Sequence, residues 1–426
     1  MLRVPIVQAR PGMVLAQPVY HPRRHDTLLL KEGVSLDLHV IGRLREIQCR
    51  EVWIRYPRLE FIRQYVSPAV NAARANVTAI LADTFDAAAA EAHAKLEFGG
   101  YRRAVSTLIE KLYENPRAAL LVQEMAGAGP ELEHASTVCF LSILMGLRAR
   151  FYLVRERTRL PAASARDVTN LGLGGLLHDI GMLRLDPSVV DRWERDRDES
   201  DRDWRQHVVL GYEMVRGELD PSASAAVLHH HQRFDGSGFP RIRGLGGDTR
   251  PFRGSGIHVF ARIVAVADLF DRLRRDHPVR DRRSGAWLPA PAVRALKMMQ
   301  GDPYAGAIDP VVFKGLLAVA PPYPPGSIVR LSNGVRAVVT EWYPTDPCRP
   351  RVAELPAIGA NLTDDDTERP THNLLFRKDV EIVEIDGINV SEDNFYPTSL
   401  AEFDLDTLSR RLFNGATDDE KETSVA

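Results

Sequence analysis

Cysteine is scarce: three residues in 426, Cys49, Cys139 and Cys348, far apart, odd in number and without a CxxC pair. That usage excludes a disulfide frame, a zinc ribbon and thiol redox work, and fits a reducing compartment. Long apolar runs are missing too. None approaches the ~18 residues of a membrane helix. The first residues, Met1 to Gly12, are broken by Pro and Arg where a secretory signal needs an apolar core. The expectation is a cytoplasmic protein that makes no membrane contact. Charge of one sign is also lacking, with 55 Lys and Arg against 57 Asp and Glu. No global field then favours nucleic acid or an anionic membrane, and no DNA- or RNA-reading motif is present. What remains is an ordinary soluble composition, 44% apolar and 26% charged, long enough for about three domains.

The chain divides by texture. Residues 1–66 read as a small α+β unit: short strands at Val4–Val7, Val14–Ala16, Thr27–Leu30 and Glu51–Ile54, and a helix from Leu36 to Ile47 capped by Ser35. Residues 67–115 are Ala-rich and read as a helical connector. From 116 to 320 the pattern is helical, with helices expected at 132–147, 168–177, 206–215, 223–231, 261–273 and 291–299. Asp191 to Asp203 is a dense mixed-charge run, read as a solvated face or loop. Asp235 to Gly256 is glycine-rich and too poor in apolar residues for regular structure; long loops of this kind are often functional. At Pro321 the texture changes to strands, with Ser332-Asn333-Gly334 as a hairpin turn, so residues 321–398 read as a small β-barrel-like unit. Residues 399–426 read as an acidic, frayed tail. The expected fold is multi-domain, with a mainly α-helical bundle between an α+β unit and a β unit.

Five segments of the helical region carry metal-ligand residues: His134, the pair His178-Asp179, His207, the run His229-His230-His231, and Asp268 with Asp271 nearby. Alone, each has a plainer reading. A histidine at a helix end is more often a hydrogen-bonded structural residue, and Asp268 with Asp271 could be an exposed acidic edge. Successive helical residues point about 100° apart, so at most two of the three consecutive histidines can share a site. Jointly, five segments offer imidazole and carboxylate in the proportions of a two-metal hydrolytic site.

The order His, His-Asp, His, His-His, Asp resembles the HD phosphohydrolase superfamily. The run from His230 to Pro240, with Gly236, Gly238, Phe239 and Pro240, is similar to the signature of its HD-GYP branch, and Ala261 to Asp271 to the helix that follows. The N-terminal unit resembles the small domain found ahead of bacterial HD-GYP domains. This resemblance implies an HD-type helical bundle that hydrolyses the second messenger cyclic di-GMP to linear pGpG, and on to GMP, through a metal-bridging hydroxide. It implies two divalent transition-metal ions, iron or manganese foremost, held by His134, His178, Asp179, His207, His230, His231 and Asp268, with Asp179 bridging. Gly236, Gly238, Phe239 and Pro240 would form the loop beside the substrate. Arg280 and His277 would meet its phosphate, Arg280 as the reliably charged member. A protein signalling partner and a homodimer are compatible with such a chain.

The chain also departs from the pattern. Met182 stands where the family usually carries Lys, Phe239 where it carries Tyr, and Gln232 where Glu is common. Pro130 occupies the place of the Glu that relatives with a third metal carry, so two metals are expected. Losing one preorganised cation at a phosphoryl site can cost about 10²–10³ in rate. Two alternatives therefore stay open: a catalytically weak relative that senses a nucleotide, and an enzyme for another cyclic dinucleotide.

Overall fold

A computed structural model of the chain describes residues 1–398 apart from 22–23, 48, 50, 57–58, 91–95, 117–128, 244–248, 251, 281–284, 286 and 356–369. The expected acidic tail lies outside the described residues. In the N-terminal region, β1 (Leu2–Pro5), β2 (Val19–His21), β3 (Arg24–Leu30), helix α1 (Leu38–Glu46) and β4 (Glu51–Ile54) follow in order. Strands β1 and β4 pair antiparallel, as do β2 and β3. The stretch from Val14 to Ala16, expected as a strand, makes only isolated bridges, Val14 to Ser35 and Leu15 to Ile54. The cap of α1 is Asp37 and not Ser35: the Asp37 carboxylate accepts from the Val40 amide at 2.7 Å.

Helices α2 (Pro68–Ala90) and α3 (Phe98–Glu114) follow the first unit. Val77, Leu81, Tyr101 and Leu108 join the same apolar cluster as Leu141, Leu173 and Phe260, so the expected connector is built into the helical core. That core continues through α4 (Pro130–Arg148), α5 (Arg150–Glu156), α6 (Ala162–Ala165), α7 (Thr169–Leu177), α8 (Pro187–Asp196), α9 (His207–Val215) and α10 (Pro221–His229). It ends with α11 (Val259–Asp276), α12 (Ala292–Met298) and α13 (Pro310–Leu317). Three helix starts share one local cause. Asp186, Asp220 and Asp309 each precede a proline, and each carboxylate accepts from the amide two residues on. Proline at the first helical position needs no amide donor, and the aspartate satisfies the next one. Helix α7 is pressed into the centre because it carries glycine: a Cβ at Gly174 would stand 2.7 Å from the Ala226 Cβ on α10.

Two readings of loops change. The run from Asp191 to Asp203 is helical to Asp196, and Trp193 within it and Trp204 just after it are buried and stacked, with ring centroids 3.8 Å apart. The glycine-rich stretch contains a short hairpin, β5 (Ile242–Arg243) with β6 (Thr249–Arg250); a second hairpin, β7 (Val279–Arg280) with β8 (Trp287–Leu288), follows α11.

The C-terminal region is rich in sheet. Strands β9 (Ile328–Leu331), β10 (Arg336–Glu341), β11 (Arg351–Glu354), β12 (Thr371–Asn373), β13 (Ile382–Ile385) and β14 (Ile388–Asn389) lie in the order β12-β11-β10-β9-β13-β14. Apolar residues in β10 run consecutively instead of alternating, because both faces are covered. Ala337 and Val339 belong to the cluster that runs into the helical core, and Val338 to the N-terminal cluster. Arg3 reaches across to Asp386 at 2.6 Å, and Arg294 to Asp393 at 2.9 Å. Among the described residues no single helix is long and apolar enough to cross a membrane.

Candidate metal centre

Seven side chains from five segments meet at one end of the helical core. His134 comes from the second turn of α4, His178 and Asp179 from the chain leaving α7, and His207 opens α9. His230 and His231 follow α10, and Asp268 sits midway along α11. Adjacent His230 and His231 both reach the site because the helix ends at His229 and the chain turns there. Glycine permits the closest approach. A Cβ at Gly181 would lie 1.9 Å from the His207 carbonyl oxygen, so only a bare backbone lets the segment after Asp179 rest against α9.

The imidazoles are held in one sense. His178 donates from Nδ1 to the Gly175 carbonyl at 2.9 Å, His207 to that of Trp204 at 2.7 Å, and His230 to that of Val227 at 2.8 Å. Carbonyls only accept, so each Nδ1 carries the proton and each Nε2 keeps a lone pair. Those Nε2 atoms cluster: His134 and His178 are 3.2 Å apart, His207 and His230 3.4 Å. Asp179 stands between the pairs. Its Oδ2 lies 3.1 Å from His178 Nε2, while Oδ1 lies 3.4 Å from His230 Nε2 and 3.5 Å from His207 Nε2. Asp268 Oδ1 is 3.3 Å from His134 Nε2; its Oδ2 is buried with no hydrogen-bond partner. Two sets of donors could each hold a metal ion: Asp179, His207, His230 and His231 in one, His134, His178 and Asp268 in the other. Converging lone pairs on buried histidines and an orphaned, buried carboxylate oxygen, with partly exposed Asp179 between them, fit a divalent cation.

Electrostatics agree with that donor set. Burial, and then neighbouring His230, push His231 well below the ordinary histidine range; burial also takes His207 down to about 4. Both are therefore neutral near pH 7, as a metal requires. Burial works against the charge of Asp179, but His178, His230 and His207 outweigh it and hold the carboxyl well below its usual range. His134 differs. Burial opposes its proton, yet hydrogen bonds to Asp268 and Asp271 prevail and raise it to about 10.

Several participants went unseen in the sequence. Asp271, whose plainer reading was an exposed acidic edge, is buried and accepts from His134 Nδ1 at 2.7 Å and from Arg275 at 2.6 Å. Arg272 reaches Asp268 at 2.9 Å and Glu199 at 2.7 Å, and Arg233 meets the same Glu199 at 2.9 Å. Asp268–Arg272 and Asp271–Arg275 are four residues apart on α11, a spacing that signals such pairs on a helix. Glu199 sat inside the charge-rich run and carried no comparable signal. Asp235 braces its own loop, accepting from the Ser237 amide and hydroxyl.

A cavity of about 270 Å³ opens beside the cluster, lined by His230, His231, Gly238 and Phe239 among others. The Phe239 ring stacks on His231 with centroids 4.7 Å apart. Gly236, at φ +86°, and Pro240, whose carbonyl accepts from Gln232, shape the loop without lining the cavity. Met182 packs against the apolar patch of Trp193, Trp204, Val208 and Phe239, a setting that disfavours the ammonium of a lysine. His277 and Arg280 are not brought to the cluster. Both are exposed beyond α11, outside the cavity lining, and Arg280 donates to the Gly285 carbonyl at 3.4 Å.

Comparison with known proteins follows the same lines. Residues 141–310 match the family model described as HD domain. The helical unit carries an HD domain. A protein named cyclic di-GMP phosphodiesterase PA4108, from Pseudomonas aeruginosa, is 27% identical over 379 residues, covering 82% of this chain and 84% of that protein. The cyclic di-GMP phosphodiesterase response regulator RpfG of Xanthomonas campestris is 31% identical over 35% of this chain and 36% of its own. The 3'3'-cGAMP-specific phosphodiesterase 3 of Vibrio cholerae is 32% identical over 36% of this chain and 30% of its own. The likeness to these last two is thus confined to about a third of each protein. Among solved structures, a HDG"Y"P protein from Bdellovibrio bacteriovorus, Bd1817, is 16% identical over 74% of this chain and 97% of that one, with a TM-score of 0.42. The HD domain and the named relatives support a metal-dependent phosphohydrolase.

Proposed function

We propose that the chain is a phosphodiesterase that opens cyclic di-GMP to linear pGpG and carries the product on to GMP. The observation that carries this reading is Asp179, whose two oxygens face two separate histidine sets. His134, His178 and Asp268 would hold one divalent ion, and His207, His230 and His231 a second, with Asp179 shared. Imidazole with bridging carboxylate suits iron or manganese. Such ions, when bound, supply Lewis-acid activation of water and neutralise charge on the phosphoryl group.

The chain's own residues prepare that chemistry. Backbone carbonyls fix Nδ1–H on three histidines and leave Nε2 free. Asp271 orients His134, and Arg272 balances the charge of Asp268. Gly238 and Phe239 wall the side on which a substrate enters. His277 and Arg280, being exposed, serve as contacts for the outer part of a dinucleotide and not for its reacting phosphate. Residues 1–66 and 321–398, packed against each other through Val338 and Ala353, are the units through which a partner would signal.

A second reading is favoured by the Vibrio cholerae relatives, whose names specify 3'3'-cGAMP. Anaerobic loading with iron or manganese, followed by turnover of each dinucleotide, separates the two. Faster turnover of cyclic di-GMP supports the first reading, faster turnover of 3'3'-cGAMP the second. Binding without turnover of either would make the chain a nucleotide sensor.

A further inference from the structure

Four arginines line the cavity beside the metal cluster: Arg205, Arg233, Arg262 and Arg272. Three are neutralised. Arg233 pairs with Glu199, Arg272 with Asp268 and Glu199, and buried Arg262 with Asp309 and Glu156. Arg205 differs. Among the described residues no carboxylate lies within ion-pair distance of it, although Asp198 is near enough to feel its charge; its Nε donates to the Glu199 carbonyl at 2.6 Å. Its guanidinium carbon sits 4.7 Å from the centroid of Phe239, the ring that stacks on the ligand candidate His231.

A guanidinium has five N–H donors in a rigid fork, and one is used here. The ring beneath and the carbonyl behind fix its plane, so little freedom is lost when an anion arrives. The same apolar patch holds Met182, so no cation comes from that position. We propose that Arg205 binds a phosphate of the substrate in this cavity and supplies the positive charge that position 182 does not. The inference rests on the phosphodiesterase reading for the identity of the substrate, and on the geometry alone for anion binding. Glu199 contributes by position: its carbonyl holds Arg205, while its carboxylate occupies Arg233 and Arg272. Among the described residues that line the cavity, Arg205 is left as the arginine without a direct ion pair.

The test uses the full chain. Binding of GMP and of guanosine is measured by calorimetry in the presence of a chelator, for wild type, Arg205→Gln and Arg205→Lys, across a salt series. Wild type is expected to prefer GMP over guanosine, with affinity falling as salt rises. Arg205→Gln should lose about tenfold in GMP affinity and flatten the salt dependence, as expected for one charged hydrogen-bond donor. Arg205→Lys should recover part of both, and thermal melting of both variants should match wild type. Equal GMP binding and an equal salt slope in Arg205→Gln would overturn the assignment, as would a wild type that does not distinguish GMP from guanosine. Turnover of cyclic di-GMP by metal-loaded wild type, measured separately, tests the phosphodiesterase reading: either result can fail while the other stands.

Discussion

Replacing Gly181 by alanine is expected to disable the centre without touching any proposed ligand. The added Cβ would lie 1.9 Å from the His207 carbonyl oxygen and 2.5 Å from the Gly211 amide nitrogen. Ordinary contact begins at about 3.4 Å, so the two segments must separate by roughly 1.5 Å. Both obstacles are backbone, and neither can swing aside as a side chain would. The first turn of α9, which carries His207, must move relative to Asp179. Metal–ligand distances tolerate only about ±0.2 Å, so the displacement far exceeds what one ion bridging these residues can absorb. Overpacking of this kind costs about 1–3 kcal/mol in stability, and a lost ligand should lower metal affinity at least about tenfold. Gly211→Ala is the control. Its Cβ would meet the Val227 side chain at 3.1 Å and the Gly181 nitrogen at 3.2 Å, tight contacts that small shifts relieve. Chelator competition gives metal affinity, and denaturant unfolding gives stability. Gly181→Ala with wild-type affinity and stability would refute the close approach of the two segments.

Other perturbations follow from the same contacts. Asp271→Asn removes the charge that His134 Nδ1 meets at 2.7 Å, and metal affinity measured by chelator competition should drop about 10- to 100-fold while the melting transition remains cooperative. Asp309→Ala leaves the buried Arg262 guanidinium with Glu156 as its remaining carboxylate and uncaps α13, and denaturant unfolding should show a loss of about 2–3 kcal/mol. His258, which caps α11 by accepting from the Phe260 amide, is pushed down to about 4 by burial and then by Arg157 and Arg262, against an opposing contribution from Asp220. Unfolded, it binds a proton near 6.5, so its stabilising effect is full above that pH and fades as the pH falls towards 4, by about 2–3 kcal/mol. His258→Asn keeps a capping side chain and should flatten that part of the stability-against-pH curve; an unchanged curve would contradict the role.

Much of this arrangement was legible in the sequence for identifiable reasons. The expected limits of α9 and α10 came within two residues because both are apolar runs bounded by polar residues, whereas α11 extends three residues past its expected end and the Asp220-Pro221 start of α10 was not read. The seven metal-ligand candidates share one site because each terminates or opens an apolar segment. What could not be read depended on partners distant in sequence. Asp271 resembles any exposed acid until His134, 137 residues earlier, is set against it. Glu199 lies in the run from Asp191 to Asp203, whose composition describes a solvated surface, and Arg205 stands two residues beyond it. Trp193, inside the run, stacks on Trp204, just after it, while Glu199 and Ser200 between them line the cavity. Consecutive apolar residues in β10 marked a strand, yet not that one face would meet the N-terminal unit and the other the helical core. Ser35 satisfied the preference for a cap, but Asp37 makes the bond because it stands three residues before the Val40 amide.

The most direct test is made on Asp179, whose oxygens are divided between the two histidine sets. Metal content and cyclic di-GMP turnover should be measured on the same anaerobic preparations of wild type and Asp179→Asn. The bridging reading expects two ions per chain with turnover in wild type. In the variant it expects at most one tightly held ion and a rate lower by at least about 10²-fold. Two ions and undiminished turnover in Asp179→Asn would contradict it.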